Sequence, residues 1–149
     1  MKRRYYDYAT FLTDIKQLTA RLKEERFDYL IAISRGALTM THFVAMALDM
    51  RNVEMVCAVS YNGARKQNAP KIERLPELRN AKKALILDEI IDSGETMTAI
   101  AQALKERYPQ TEFKIAALFQ KSTASISADF FVRVADEWID YFWEVDPIA

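Results

Sequence analysis

The sequence predicts an α/β fold in which helices flank a mostly parallel central sheet. Short apolar runs, typical of buried strands, alternate with segments whose apolar residues recur every three or four positions, as in amphipathic helices. Strands that alternate with helices pair in parallel through right-handed crossovers. A chain of 149 residues is long enough to bury a substantial core. We therefore expect a single domain over residues 1–149.

The chain begins with a predicted helix, which is followed by the first strand. The apolar residues of the helix are spaced by three or four positions: Tyr8, Phe11, Leu12, Ile15, Leu18 and Leu22. We place the end of the helix near Arg26. Residues 29–33 form an uncharged run typical of a strand covered on both faces, so a strand is predicted over 28–34. The basic start Lys2-Arg3-Arg4 is interpreted as a solvated terminus or part of an oligomer contact.

The remaining elements repeat the same alternation. After a turn at Arg35 and Gly36, residues 37–50 are rich in Leu, Met and Ala, as in a packed helix. A strand follows over 53–61. The next strand, helix and strand are predicted over 83–88, 95–108 and 112–119, and Pro109 ends the helix.

Two segments depart from this alternation. Residues 62–80 contain Gly63, Pro70 and Pro76 and show no apolar period. Connections of this length are usually functional lids or disordered segments, so a flexible loop is predicted. Aromatic residues are concentrated near the end of the chain. We expect residues 120–149 to form most of a small C-terminal hood over the sheet.

The composition argues against several classes of protein. Lys plus Arg and Asp plus Glu both number 21, so no overall basic field attracts nucleic acid. No apolar stretch approaches the roughly 20 residues that span a bilayer, and the start does not resemble a signal peptide. The single cysteine cannot form an internal disulfide. We expect a cytoplasmic protein without an integral membrane span or a nucleic-acid partner.

The most informative segment follows the apolar run 84–87 and reads Asp88-Glu89-Ile90-Ile91-Asp92-Ser93-Gly94-Glu95-Thr96. Adjacent carboxylates that end a buried strand repel one another, and a bound Mg²⁺ would offset the repulsion. The start of the next helix presents backbone N–H groups that can hold a phosphate. In open α/β sheets, ligands bind at this edge. The segment therefore indicates a phosphorylated sugar held with a divalent cation.

Gly36 and Gly94 each follow a buried strand, where the backbone can approach a ligand closely. The sequence contains neither G-x-G-x-x-G nor G-x-x-x-x-G-K, so the usual dinucleotide and ATP loops are not supported.

Residues 87–96 resemble the motif of type I phosphoribosyltransferases that binds 5-phosphoribosyl pyrophosphate (PRPP). Residues 33–38 resemble the pyrophosphate loop of the same family, with Ala37 replacing its commoner glycine. The resemblance covers almost the whole chain and is strongest to members that act on 6-oxopurines. It implies the type I phosphoribosyltransferase fold and transfer of the phosphoribosyl group from PRPP to N9 of guanine, xanthine or hypoxanthine.

The resemblance also implies a PRPP site. Arg35 and Gly36 would bind pyrophosphate through a peptide bond that the family often holds in the cis form. Arg65 or Lys66 of the 62–80 loop would add an anion contact. The PRPP site would comprise Arg35, Gly36, Arg65, Asp88, Glu89, Ile90, Ile91, Asp92, Ser93, Gly94, Glu95 and Thr96. Within it, Glu89 would bind Mg²⁺, and the main chain from Asp92 to Thr96 would hold the 5′-phosphate.

The purine site implied by the resemblance consists of four residues. Asp92 would be the catalytic acid or base at the imidazole ring, and Lys121 would donate to the 6-oxo oxygen. Trp138 would stack on the base, while the main chain of Ile139 would read the substituent at carbon 2. Family members are commonly homodimers or homotetramers. Two alternatives remain open: a regulator that senses PRPP or a nucleotide, and a phosphoribosyltransferase for another base.

Overall fold

The computed structural model describes residues 2–59 and 70–146, which form two sheets. Its elements are β1 (Arg3–Tyr6), α1 (Tyr8–Leu22), β2 (Tyr29–Ser34), α2 (Leu38–Ala47), β3 (Val53–Val59), β4 (Lys71–Arg74), β5 (Lys83–Ile91), α3 (Glu95–Arg107), β6 (Glu112–Gln120), β7 (Phe130–Val134), β8 (Trp138–Tyr141) and α4 (Phe142–Val145). The large sheet has the order β4-β3-β2-β5-β6-β7, and β1 pairs with β8. Only β3 and β4 pair antiparallel among these described strands. The predicted mostly parallel α/β fold is confirmed.

Apolar side chains cover both faces of the large sheet, as the uncharged strand runs predict. On one face, Leu85 and Leu87 of β5 pack in a cluster with residues of α1 and α2. On the other face, Ala84 and Ile86 pack in a cluster with residues of α3. This alternation follows from the two-residue period of a strand, which places successive side chains on opposite faces.

The strand order places a topological switch point between β2 and β5. From β2 the chain crosses through α2 to β3 on one side, whereas from β5 it crosses through α3 to β6 on the other side. The two crossovers therefore leave a crevice at the carboxyl ends of β2 and β5. Ligands bind at this position in open α/β sheets.

β5 is longer than the sequence predicts. We expected the strand to end at Asp88, but it continues to Ile91 because its parallel pairing with β6 extends to Ile91 and Gln120. Asp88 and Glu89 therefore lie within the paired strand rather than in a loop beyond it. The pairing gives these two carboxylates a fixed backbone.

The predicted 62–80 loop is partly ordered. Residues 71–74 form β4, which pairs with β3, and Leu78 is buried in the core that contains α3. The hydroxyl of Tyr108 accepts a hydrogen bond from the Leu78 N–H and donates one to the Pro76 carbonyl oxygen. The prediction of a loop is therefore wrong for residues 71–74, which form a strand. Residues 60–69, including Arg65 and Lys66, lie outside the described part of the chain.

The basic start of the chain is not simply a solvated terminus. Residues 3–6 form β1, which pairs in parallel with β8. The guanidinium of Arg3 forms an ion pair with Asp140 at 2.6 Å, and that of Arg4 forms one with Glu137 at 2.7 Å. Sequence reasoning missed β1 because its partner strand lies more than 130 residues away along the chain.

The predicted hood segment is divided between the two sheets. β7 extends the large sheet beyond β6, while β8 pairs with β1 and leads into α4. A buried polar network joins these parts. Asp14 of α1 is 1% exposed, accepts a hydrogen bond from the Tyr6 hydroxyl at 2.7 Å, and binds the Arg133 guanidinium through both carboxylate oxygens. This network fixes β1 and β7 against α1.

Both early helices end sooner than predicted. α1 ends at Leu22 and α2 at Ala47. Arg26 and Asp49, which follow them, adopt positive φ angles of 55° and 52°, a backbone conformation that cannot continue a right-handed helix. In the described ranges, no helix has both the length and the apolar character needed to cross a membrane.

Candidate active site

A cavity of about 200 Å³ opens at the carboxyl ends of β2 and β5. Its lining comes mainly from the end of β5 and the turn into α3, together with residues at and just after the end of β2 and one from β3. The lining residues are Ile33, Ser34, Gly36, Ala58, Asp88, Glu89, Ile90, Ile91, Asp92, Ser93, Gly94, Thr96 and Met97. This cavity occupies the crevice of the topological switch point.

Gly36 allows the turn after β2 to approach β5 closely. A Cβ atom at this position would overlap the carboxylate of Glu89, so a side chain there would displace Glu89 or the turn. The peptide bond in the cis form joins Ser34 and Arg35. We expected this bond between Arg35 and Gly36, so its position is corrected by one residue. The turn and Glu89 are therefore neighbours across the crevice.

Asp88 and Glu89 are electrostatically unfavourable neighbours. Loss of contact with water raises the pKa of the Asp88 carboxyl well above its usual range, and the adjacent Glu89 carboxyl raises it further. One Oε atom of Glu89 is buried and, within the described residues, lacks a hydrogen-bond partner. An unsatisfied buried carboxylate oxygen is destabilising, so this pair is suited to a ligand that supplies donors or positive charge.

The carboxylate oxygens at this edge fit a hard divalent cation such as Mg²⁺, which prefers oxygen ligands. The unpartnered oxygen of Glu89 is the observation that supports the fit. Across residues 2–59 and 70–146, no three or more His, Cys, Asp or Glu side chains form a complete ligand group. Most ligands of such an ion would therefore have to come from a bound substrate or water, as is usual for Mg²⁺ at phosphate sites.

The turn between β5 and α3 has the geometry of an anion site. Gly94 adopts a φ of 95° and precedes the first helical residue, Glu95. The carbonyl oxygen of Ser93 points toward Ser125, because it accepts hydrogen bonds from the backbone N–H and the hydroxyl of that residue, both at 2.8 Å. The first N–H groups of a helix have no intrahelical partner, and the helix dipole favours negative charge there. The turn can therefore hold a phosphate group.

A second cavity, also of about 200 Å³, adjoins the first. It is lined by Glu89, Ile90, Asp92, Lys121, Glu137, Trp138, Ile139, Tyr141 and Glu144. The two cavities share Glu89, Ile90 and Asp92. The Lys121 Nζ atom lies 2.8 Å from the Asp92 carboxylate, so an ion pair joins the two strand ends. A ligand that extends through both cavities would pass these shared residues.

β8 and α4 supply one wall of the second cavity. Ile139 and Tyr141 are both buried, as expected for residues two apart on one face of a strand, whereas Trp138 is 52% exposed. The hydroxyl of Tyr141 is buried and, in the part of the chain described here, has no hydrogen-bond partner. Loss of water raises the pKa of the Glu144 carboxyl, and Glu89 raises it further, while Arg35 lowers it. The wall therefore combines an aromatic surface with acidic groups.

The structure brings together most, but not all, of the predicted site residues. Gly36, Asp88–Asp92, Ser93, Gly94 and Thr96 line the first cavity, and Asp92, Lys121, Trp138 and Ile139 line the second. Arg35 and Glu95 are exposed and line neither cavity. Arg65 lies outside the described residues.

The sequence-predicted site lacked several lining residues: Ile33, Ser34, Ala58 and Met97 in the first cavity, and Glu137, Tyr141 and Glu144 in the second. Tyr141 could have been identified from its two-residue spacing to Ile139 on β8. Ala58 had no such signal, because an alanine in a strand is typical of any packed sheet. Its place in the lining results from the pairing of β3 with β2.

Replacement of Asp88 by Asn is expected to stabilise the protein in the absence of ligand at pH 8. A carboxyl whose pKa is raised by folding binds more protons in the folded than in the unfolded state, so wild-type stability falls as pH rises above the unfolded pKa of about 4. We expect the urea midpoint of Asp88→Asn to exceed that of wild type at pH 8, with a smaller difference at pH 4. The exposed Glu112→Gln variant is the control, and equal midpoints of wild type and Asp88→Asn at pH 8 would contradict the expectation.

Comparison with known proteins agrees with this geometry. The profile of the phosphoribosyl transferase domain matches residues 3–147. The xanthine-guanine phosphoribosyltransferase of Nitratidesulfovibrio vulgaris is 31% identical over 134 residues, which cover 88% of this chain and 78% of the relative. The relative from Vibrio atlanticus with the same name is 29% identical over 143 residues, covering 91% and 88% of the two chains.

Solved structures show the same similarity. The xanthine-guanine-hypoxanthine phosphoribosyltransferase of Helicobacter pylori is 39% identical, with a TM-score of 0.90 over 97% of this chain and 96% of that protein. A purine phosphoribosyltransferase from Pyrococcus horikoshii is 26% identical, with a TM-score of 0.84 over 100% and 98% of the two chains. These matches confirm the predicted type I phosphoribosyltransferase fold. The chain belongs to the phosphoribosyl transferase domain family.

Proposed function

We propose that this chain transfers the 5-phosphoribosyl group from PRPP to N9 of a 6-oxopurine, giving a nucleoside 5′-monophosphate and pyrophosphate in purine salvage. The observation that carries the proposal is the pair of adjoining cavities that share Glu89, Ile90 and Asp92. One cavity ends at a helix N-terminus suited to phosphate, and the other is bounded by an aromatic ring and a cation. The shared residues lie where the ribose would join the base.

The first cavity suits PRPP. The backbone N–H groups from Asp92 to Thr96 would hold the 5′-phosphate at the start of α3, where the helix dipole favours an anion. Asp88 and Glu89 would accept hydrogen bonds from the ribose hydroxyls, which would satisfy the unpartnered oxygen of Glu89. The turn at Arg35 and Gly36 would bind the pyrophosphate across the crevice from Glu89.

Glu89 would also hold Mg²⁺ together with oxygens of PRPP. When bound, the ion would offset the negative charge of the leaving pyrophosphate. Without a cation, the carboxylates at the end of β5 would repel the phosphates of PRPP. The bound ion would therefore allow an acidic strand end to lie beside a polyanionic substrate.

In the reaction, the bond between ribose C1′ and the pyrophosphate oxygen breaks, and a bond from C1′ to purine N9 forms. Positive charge that develops on the ribose is stabilised by the carboxylates of Asp88 and Glu89 beside it. The purine loses a proton from its imidazole ring, and Asp92 would accept it. Asp92 suits this role because its carboxylate lies at the junction of the two cavities.

The second cavity suits a purine with an oxygen at position 6. The Lys121 ammonium donates hydrogen bonds, so it would pair with a 6-oxo oxygen and would oppose the 6-amino donor of adenine. Trp138 would provide a stacking surface, and the main chain of Ile139 would contact the group at carbon 2. Guanine, xanthine and hypoxanthine are therefore the proposed bases.

Three further expectations belong to the same proposal. A homodimer or homotetramer, a cytoplasmic location and closure of the 62–80 loop over the site remain predictions. Sedimentation analysis, cell fractionation and limited proteolysis with and without PRPP would test them in turn.

Incubation of the purified protein with PRPP, Mg²⁺ and one of five bases tests the proposed function. We expect nucleotide and pyrophosphate in equal amounts from guanine, xanthine or hypoxanthine, and much less from adenine or uracil. Asp92→Asn is expected to lose the activity. Binding of PRPP without product from any base would favour a regulator that senses PRPP, whereas product from uracil alone would favour an enzyme for another base.

Replacement of Lys121 by Ala is expected to weaken purine binding roughly ten- to hundredfold, because a hydrogen bond from a charged donor is lost. PRPP binding is expected to change little, since the ammonium lies in the second cavity. The KM values for guanine and for PRPP separate the two effects. The exposed Lys105→Ala variant of α3 is the matched control, and a parallel loss of both affinities in Lys121→Ala would refute the assigned role.

A further inference from the structure

Arg3 of β1 contacts Trp138, whereas the sequence led us to expect only a solvated terminus or an oligomer contact for Arg3. The guanidinium carbon of Arg3 lies over the indole ring, 5.8 Å from the ring centroid, which is the arrangement of a cation–π interaction. Arg3 and Trp138 also occupy paired positions in the parallel register of β1 and β8. The contact is therefore set by strand pairing and does not depend on a mobile loop.

Asp140 joins the same two side chains. Its carboxylate accepts hydrogen bonds from Arg3 Nε at 2.9 Å and Arg3 Nη2 at 2.6 Å, so the guanidinium is bound through two donors. One of its oxygens also accepts a hydrogen bond from the indole Nε1 of Trp138 at 3.1 Å. Binding through two parallel donors fixes the plane of a guanidinium as well as its position. Arg3, Asp140 and Trp138 therefore form a closed three-residue arrangement, here called the indole clamp.

The indole clamp fixes the orientation of an exposed ring that lines the second cavity. Trp138 is 52% exposed, so the packed core does not determine the orientation of its ring. An unrestrained side chain loses conformational freedom when a ligand stacks on it, and that loss weakens binding. The clamp fixes one edge of the ring through Nε1 and covers one face with the Arg3 guanidinium.

We propose that Arg3 is a positioning residue for purine binding: with Asp140, it holds the Trp138 ring so that the uncovered face can receive the base. This inference rests on the proposed function and extends it to β1, outside both cavities. Arg3 touches neither the base nor PRPP in this arrangement, and it acts through Trp138. The carboxylate of Asp140 stays charged at neutral pH, because Arg3 and Trp138 both lower its pKa.

A double-mutant cycle tests the indole clamp. Arg3→Ala is expected to raise the KM for guanine by about three- to fivefold, the range of exposed cation–π and ion-pair contacts, with kcat and the KM for PRPP unchanged. In a Trp138→Leu background, Arg3→Ala is expected to have no further effect on the KM for guanine, because the ring through which it acts is gone. Equal factors in both backgrounds would overturn the proposal.

A matched control separates positioning of Trp138 from the general effect of losing a guanidinium that contacts an aromatic ring. Arg21→Ala removes a guanidinium that also lies over an aromatic ring, that of Phe130 at 5.5 Å, but away from the second cavity. It is expected to leave the KM for guanine unchanged, and a rise equal to that of Arg3→Ala would overturn the proposal. Asp140→Asn is a second test, expected to raise the same KM because the charged acceptor is lost.

The failure of the proposed function is distinguishable from the failure of the indole clamp. If wild-type protein makes no nucleotide from any purine, the proposed function and the role of Arg3 are both overturned. If wild type is active and Arg3→Ala keeps the wild-type KM for guanine, only the role of Arg3 is overturned.

Discussion

The candidate site depends on the confinement of two adjacent carboxylates at the end of a buried strand. Asp88 and Glu89 lie in the part of β5 that pairs with β6, so the sheet fixes the backbone that holds both carboxylates. Loss of water and the adjacent Glu89 carboxyl raise the pKa of Asp88, and one Glu89 oxygen has no hydrogen-bond partner among the described residues. Such an arrangement is destabilising without a ligand, and residues that reduce stability are commonly retained where function requires them.

The sheet topology determines what surrounds these carboxylates. Because the chain turns to opposite sides after β2 and β5, the turn at Gly36, the start of α3 and the end of β6 meet at one edge. β8, held by β1, adds a wall that is separate from the large sheet. The proposed phosphate, ribose and base sites would therefore come from different structural sources: a helix N-terminus, a strand end and a small second sheet.

Much of this arrangement was predictable from the sequence. The acidic segment after residues 84–87 and the turn at Gly36 identified the first cavity, because adjacent carboxylates that end a buried strand repel one another and because both segments resemble ligand-binding motifs of one family. The extension of β5, the strand β4 and the strand β1 were not predictable, since each depends on a partner strand elsewhere in the chain. Arg3 had no local signal at all, because its partner Asp140 is 137 positions away.

The role of Glu89 as the acceptor of a cation is tested by the Mg²⁺ dependence of PRPP binding, measured by calorimetry with Mg²⁺ or with a chelator. Wild type is expected to bind PRPP at least about tenfold more tightly with Mg²⁺, because the unpartnered carboxylate of Glu89 would gain a cation. Glu89→Gln is expected to lose most of this difference while keeping the binding that the start of α3 provides, and Glu112→Gln to behave as wild type. The same Mg²⁺ dependence in Glu89→Gln and wild type would contradict the account.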